Sequence, residues 1–464
     1  MIMMNDGLTI NPWSSQQSTD YGRIIEQFGL QSTSDIDIPS PSKLHRRGIV
    51  FAHRDFDVVL QSQKNGEDFG VLTGLMPSGK MHMGHSMVID QVKWLQSLGG
   101  DVTIAVADLE SSATRGISLS EGRKTALEEY ISYYAALGLD PESTEIYFQS
   151  RRNQVQKLGF LLGKKTNISE MESIYGFNGS TNMAHVQAPL VQAGDILHPQ
   201  LDEFGGIRPI VVPVGVDQDP HLRLTRGLAS KSNWFNIAPD KTRGLSISLS
   251  INEESAQSFG VDAHGRINRD KQKETYQKIV QTLSALGFSD ISSNPKHGTV
   301  SLPGAKRTDI HMVKKALLKL ERKLGGIGLM APASTYHRFA VGLTGDKMSS
   351  SKPKTTLFLS DELDVTAKKI KKSFSGGQST LEEHRRLGGN PDIDVAYQYL
   401  MYFFEEDDKA LQELYQGYKS GKILAGEMKQ ICIDRASEWL KELKEKKDET
   451  AHLIKDFLST DSKD

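Results

Sequence analysis

The stretch that most constrains how this chain can fold is VLTGLMPSGKMHMGHSMVID, from Val71 to Asp90. It opens on apolar Val71-Leu72, the pattern of a buried strand end. It then crosses the breakers Gly74, Pro77, Ser78 and Gly79, and continues with Met87, Val88, Val92 and Leu95 at the spacing of an amphipathic helix. His82 and His85 therefore fall in the first turn of a helix that follows a strand. Backbone N–H groups and the helix dipole favour an anion there. In a parallel α/β sheet the same place is the ligand-binding edge.

The pattern repeats. Val102 to Asp108, Ile146 to Phe148 and Pro209 to Val214 are further strand-like runs separated by helical spacing. Strands alternating with helices predict an α/β fold, a Rossmann-type doubly wound parallel sheet with right-handed crossovers. Polar residues cluster where these runs end: Asp108 and Glu110, then Gln192, Gly194 and Asp195, then Asp217, Gln218 and Asp219. A single carboxylate at a strand end is often only a helix cap. Three clusters converging on one sheet edge make a negative potential suited to a free amino group.

Composition narrows the class. Lys and Arg number 56 against 58 Asp and Glu, so any nucleic-acid surface is local rather than global. The one cysteine, Cys432, excludes a disulfide framework or a Cys-based zinc site and reads as a small buried residue. No secretory leader pattern and no apolar run of membrane-span length is visible, which predicts a cytoplasmic protein without membrane attachment.

Far downstream, Gly342-Leu343-Thr344-Gly345-Asp346 leads into Lys347-Met348-Ser349-Ser350-Ser351. A Lys/Ser-rich loop alone is usually a solvated turn. Placed after a P-S-G turn and an H-x-G-H helix start, it resembles the KMSKS motif that accompanies HIGH in class I aminoacyl-tRNA synthetases. Ser350 stands where that motif has its second lysine. The resemblance implies ATP as a substrate with Mg²⁺ bridging its phosphates. It assigns catalysis to His82, Gly84, His85, Lys347, Ser349, Ser350 and Ser351. ATP contacts fall to Gly74, Pro77, Ser78, Gly79, His82, His85, Lys347 and Met348. No side chain of the chain is expected to ligate a metal.

Within the class, the tyrosine and tryptophan branch is closest. The segments RRGIVFAHRD, VGVDQDPHLRLTR and SFSGG to EEDDK resemble archaeal and eukaryotic tryptophanyl-tRNA synthetases. In tyrosine enzymes a Tyr just before the G-x-x-P-S-G turn helps bind the substrate hydroxyl; here it is Leu72. The eukaryotic tryptophan enzymes carry Tyr and Gln where this chain has Leu72 and Ala105, so their indole pair is absent. Ala193 to Leu197 instead resembles the A-A-D-I-L of bacterial tryptophan enzymes, whose Asp accepts the indole N–H. The implied tryptophan-site residues are Leu72, Glu110, Gln192, Asp195, Asp217 and Gln218. The implied activity is a tryptophan–tRNA ligase acting on L-tryptophan, ATP and tRNA(Trp) as a homodimer. The alternatives are a tyrosine enzyme, a small-molecule adenylyltransferase and a non-catalytic RNA-binding relative.

Five regions are expected. Residues 1–60 form an N-terminal extension, in which Asn11-Pro12-Trp13 resembles a family segment covering the ATP site. Residues 61–237 form the Rossmann catalytic domain. Residues 238–330 read as an inserted small α/β module with two amphipathic helices and a turn-rich strand or hairpin between them. From Arg266 to Lys323 it has thirteen Lys/Arg against five Asp/Glu, which suits solvated helix faces or a tRNA contact. Residues 331–365 complete the catalytic domain with the KMSSS loop. Residues 366–464 form a separate α-helical domain, the anticodon-binding part in the family, with Tyr397, Leu400, Phe403 and Phe404 as core. Gln378-Ser379 replaces an Arg-Asp pair of the eukaryotic relatives.

Overall fold

The computed structural model describes residues 21–462, apart from 241–243, 253, 263 and 265. Asn11, Pro12 and Trp13 lie outside the described residues. Five parallel strands make up most of a seven-stranded sheet: β3 (Gly70–Leu75), β4 (Asp101–Val106), β5 (Thr144–Phe148), β6 (Ile210–Gly215) and β11 (Ala333–His337). Two antiparallel strands extend one edge, β2 (Val50–Arg54) beside β11 and β1 (Gln31–Ser32) beside β2. The order is β1-β2-β11-β6-β3-β4-β5. The chain winds outward from β3 through β4 to β5, then returns to the other side of β3 with β6. The switch point between β3 and β6 opens a crevice beyond their carboxyl ends.

The four expected strand runs are β3 to β6. Part of the 1–60 stretch belongs to the central sheet. Its apolar Val50, Phe51 and Ala52 are buried in β2, and β1 and β2 are part of the central sheet.

The inserted module has its own core. Strands β7 (Phe235–Pro239), β8 (Leu245–Leu249), β9 (Ser292–Asn294) and β10 (Thr299–Leu302) form an antiparallel sheet in the order β7-β8-β10-β9. The helices Arg269–Ser284 and Ile310–Lys323 pack Tyr276, Ile279, Leu283, Val313, Leu317 and Leu320 against it. Trp234 and Phe235 belong to this core, so it begins a few residues before 238. SSNPKHGTVSLPG holds the hairpin β9-β10.

The carboxyl-terminal part is helical, with its longest helix at Ala425–Glu449. It does not form a separate core. Val395, Leu400, Phe403, Met428 and Cys432 pack in one continuous cluster with Met87, Val92, Tyr130 and Val106 of the catalytic part. The aromatic stripe is buried, as its spacing predicts, and Cys432 is fully buried. After this helix the chain returns to the sheet. Ile146 N–H donates to the Phe457 carbonyl at 2.7 Å, and Ser459 N–H to the Ile146 carbonyl at 2.9 Å, so residues 457–459 cover the open edge of β5. No described helix is long and apolar enough to cross a membrane.

Candidate active site

A cavity of about 770 Å³ opens at the switch point. Its wall carries Leu72 and Gly74 from β3, Glu110 after β4, Gln192 and Asp195 from the helix Met183–Leu197, and Asp217 and Gln218 after β6. Lys347, Met348, Ser349 and Ser351 close it from the loop after β11. The strand ends and the distant loop thus meet in one space. Asp108 and Asp219 stand apart from it. Asp108 accepts hydrogen bonds from the Ser150 backbone and hydroxyl, joining the ends of β4 and β5. Asp219 is fully buried among Arg54 (2.9 Å), Arg223 (3.1 Å) and the Tyr336 hydroxyl (2.6 Å), a structural hub.

His82, Gly84, His85, Pro77, Ser78, Gly79 and Ser350 are not on the cavity wall, but the backbone gathers them beside it. His82 precedes the helix Met83–Ser97. Met83 N–H donates to the Leu357 carbonyl at 3.1 Å and Leu359 N–H to the Met81 carbonyl at 3.0 Å. The segment after the KMSSS loop is thereby stitched to the H-x-G-H turn. Ser350 also approaches the P-S-G turn: a Cβ added at Gly79 would lie 3.9 Å from Ser350 Cβ. The two imidazoles stack at 3.7 Å between centroids. His82 backbone N–H donates to His85 Nδ1 at 3.1 Å, which leaves the His85 proton on Nε2. Burial lowers His85 to about 4 and His82 well below its ordinary value, with the neighbouring His85 and the Lys347 charge adding to the latter. Both rings are neutral at pH 7, and each offers one N–H. Gly84 leaves room for the His82 ring, whose Cε1 would stand 3.0 Å from an added Cβ.

Lys347 rests at 2.6 Å from Asp217 Oδ2 and over the Phe339 ring at 4.5 Å. Gly215 makes this possible. A Cβ there would meet Asp217 Oδ1 at 2.7 Å and Phe339 at 3.2 Å. To reach a phosphate, Lys347 exchanges one anion for another.

The inner end of the cavity is acidic yet poorly ionised. Burial raises Glu110 to about 7, opposed by Arg115. Burial likewise raises Asp195 to about 7, opposed by hydrogen bonds from Tyr147 and Gln149. Tyr147 Oη–H donates to Asp195 Oδ1 at 2.5 Å and Gln149 Nε2–H to Oδ2 at 2.5 Å. In the sequence Tyr147 is only part of a strand-like run, and no motif marks Gln149. Their signal is position: both sit at the carboxyl end of β5, beside the other strand-end polar groups. Tyr175 and His221 also line the cavity, with Tyr175 Oη 2.6 Å from His221 Nδ1.

The model for tRNA synthetases class I (W and Y) matches residues 64–324 and 308–441. The tryptophan–tRNA ligase of Thermoplasma acidophilum is 40% identical, over 97% of this chain and 99% of that protein. That of Methanosarcina acetivorans is 39% identical over 95% and 96%. The crystal structure of tryptophanyl-tRNA synthetase from Aeropyrum pernix superposes with a TM-score of 0.72 at 35% identity, covering 97% of this chain and 99% of that one. A doubly wound sheet, an H-x-G-H turn stitched to a KMSSS loop and relatives matching from end to end lead to one assignment: the chain belongs to the class I tRNA synthetases (W and Y), in the tryptophan–tRNA ligase family.

Proposed function

We infer that this chain is a tryptophan–tRNA ligase. It joins L-tryptophan to ATP as tryptophanyl-adenylate, releasing pyrophosphate, and transfers the tryptophan to the 3′-terminal adenosine of tRNA(Trp). The observation that carries this reading is one crevice that joins an amino-acid pocket to the Lys347 loop, with the His82/His85 turn stitched beside it.

Attack of a carboxylate oxygen on the α-phosphorus forms a P–O bond as the bond to pyrophosphate breaks. The chain has to align the reactants and stabilise the charge moving onto the leaving group. Glu110, Gln192, Asp217 and Gln218 surround the site for the substrate ammonium, and Leu72 and Asp195 its indole. The ammonium restores the charge on Glu110 that burial suppresses. Gly74, the Pro77-Ser78-Gly79 turn and Met348 leave space for the nucleotide. His85 Nε2–H and the neutral His82 donate to phosphate oxygens. Lys347 leaves Asp217 to meet the pyrophosphate, with the Ser349, Ser350 and Ser351 hydroxyls beside it. Mg²⁺ would be held by the phosphates of ATP rather than by a protein cage. Bound there, it neutralises phosphate charge.

The helical part, 366–464, reads the anticodon, and the enzyme works in the cytoplasm as a homodimer without membrane attachment. Phe160, 73% exposed, and its neighbour Leu161 on the helix Asn153–Gly163 support pairing of copies. ATP–pyrophosphate exchange with tryptophan and tyrosine in parallel tests the reading. Exchange with tryptophan supports it, and exchange with tyrosine alone would replace tryptophan as the substrate. Absence of exchange with either would refute the first half-reaction as written.

A further inference from the structure

A run of buried polar groups lies behind the amino-acid pocket and takes no part in the adenylation chemistry. Asp195 is 2% exposed, and Tyr147 and Gln149 already donate to its two oxygens. Tyr147 is itself held. The Arg152 guanidinium lies over its ring at 4.3 Å and over Phe204 at 4.7 Å. Two carboxylates grip Arg152, which is 1% exposed: Glu145 on β5, at 3.0 and 3.1 Å, and Asp461 on the segment after the β5 cover, at 2.6 and 3.2 Å. His198 closes the circuit. Its Nδ1–H donates to the Asp195 carbonyl at 2.8 Å, and its Nε2 faces Arg152 Nη1 at 3.4 Å.

We propose that Tyr147 is a specificity-determining residue of the amino-acid pocket, and that Arg152, anchored by Asp461, is the positioning residue that holds it. The proposal rests on the tryptophan reading above. An indole N–H only donates, whereas a phenol both donates and accepts. Tyr147 commits its one O–H, and Gln149 one N–H of its amide, to Asp195. A carboxylate has about four lone-pair sites, so Asp195 can still accept from an indole. A phenol could give its proton to Asp195, but neither the Tyr147 O–H nor the committed Gln149 N–H is left to donate to its own oxygen. An unpaired buried acceptor of that kind weakens binding on the order of tenfold or more. Without the Tyr147 hydroxyl, Asp195 is held by Gln149 alone. The carboxylate can then turn and release that amide to a phenol oxygen. The Tyr147 hydrogen bond also opposes the upward push of burial on Asp195, where Glu110 and Asp108 add to the rise.

The test is ATP–pyrophosphate exchange by the full chain with tryptophan and with tyrosine, across neutral pH. Wild type serves as the control for the functional reading: if it does not exchange with tryptophan, that reading fails before the variants are compared. With a competent wild type, Tyr147→Phe is expected to raise the tryptophan KM on the order of tenfold. The ATP KM stays unchanged, the preference for tryptophan over tyrosine narrows, and the acidic limb of kcat/KM moves to higher pH. Asp461→Asn, on a partly exposed segment, is expected to produce the same changes at smaller size, and it keeps the test available if Tyr147→Phe does not fold. Unchanged tryptophan KM, preference and acidic limb in Tyr147→Phe would overturn the proposal. So would a loss that strikes ATP and tryptophan alike, the mark of a packing role. An Asp461→Asn enzyme identical to wild type would remove the Asp461 anchor.

Discussion

Replacing Gly159 by alanine should move the amino-acid pocket without touching it. Gly159 lies where the helices Asn153–Gly163 and Met183–Leu197 cross. An added Cβ would stand 2.8 Å from the Leu190 carbonyl oxygen, 3.1 Å from its carbon and 3.2 Å from Val191 Cα. All three are backbone atoms, so no rotamer change relieves the clash. Ordinary contact begins at 3.4 Å, and the shortfall of 3.4 − 2.8 = 0.6 Å has to come from separation of the helices. Gln192 and Asp195 ride on the displaced helix. A 1 Å misplacement at a reacting centre can cost about a hundredfold, so this shift should raise the tryptophan KM on the order of tenfold. Overpacking costs about 1–3 kcal/mol. The gain in helix propensity offsets about 1 kcal/mol of that. Tm should fall by no more than about 2 °C in a chain of this length. Gly163→Ala on the same helix is the control, because its Cβ would meet only the end of the Leu190 side chain, at 3.3 Å. Thermal melting and exchange kinetics for tryptophan and ATP measure both effects. If Gly159→Ala behaves like Gly163→Ala in tryptophan KM, the close crossing does not set the pocket.

Lys347→Ala should lower the exchange rate by about a hundred- to a thousandfold, as loss of a preorganised charge partner does, while equilibrium binding of tryptophan, followed by calorimetry, changes little. Asp195→Asn should weaken tryptophan binding by about 1–3 kcal/mol, since its amide N–H would face the donors Tyr147 and Gln149 or the indole itself; unaltered tryptophan kinetics would detach Asp195 from the indole. Glu110 and Asp195 titrate near 7 in the fold instead of at 4.5 and 3.8, because burial penalises their charged forms. Between those values the folded state holds more protons than the unfolded one, so these two groups make stability fall as pH rises through that window. Glu110→Gln should flatten that part of the slope in pH-dependent denaturant melts, and in wild type tryptophan binding should strengthen as pH rises through 7. Asp219→Ala would leave Arg54 and Arg223 without their buried partner at a cost of about 3–5 kcal/mol, read as a lower denaturation midpoint with substrate KM values unchanged in the folded fraction.

What the sequence reveals and what it hides follow from range and composition. The strands β3 to β6 are legible because their apolar runs stand between turn residues. The strand β11, ASTYH, is fully buried yet half polar, so no apolar run announces it. Two of its hydroxyls form a relay to a distant carboxylate: Ser334 donates to Tyr336 Oη, and Tyr336 to Asp219. The cavity-lining residues at strand ends are legible as a class, and the two motifs bring the rest. The sequence cannot show that Asp108 and Asp219 turn away to other partners, that Lys347 rests on Asp217, or that Tyr147 and Gln149 take up both oxygens of Asp195. Each depends on side-chain direction or on contacts far apart in the chain. By pattern alone the helical part reads as separate, and it is the shared apolar core, with Met428 and Cys432 against the catalytic helices, that joins it to the sheet.

The cover over β5 carries a consequence in time. Arg152 and Asp461 are 309 residues apart. At roughly 5–20 residues per second of synthesis, the interval is roughly 15–60 s. For that period the nascent sheet has an unprotected strand edge and Arg152 lacks one of its two carboxylates. A newly made chain is therefore a substrate for edge-to-edge association until residues 457–461 emerge, and the ribosome-bound stage, more than the finished enzyme, is where holdase chaperones have something to grip.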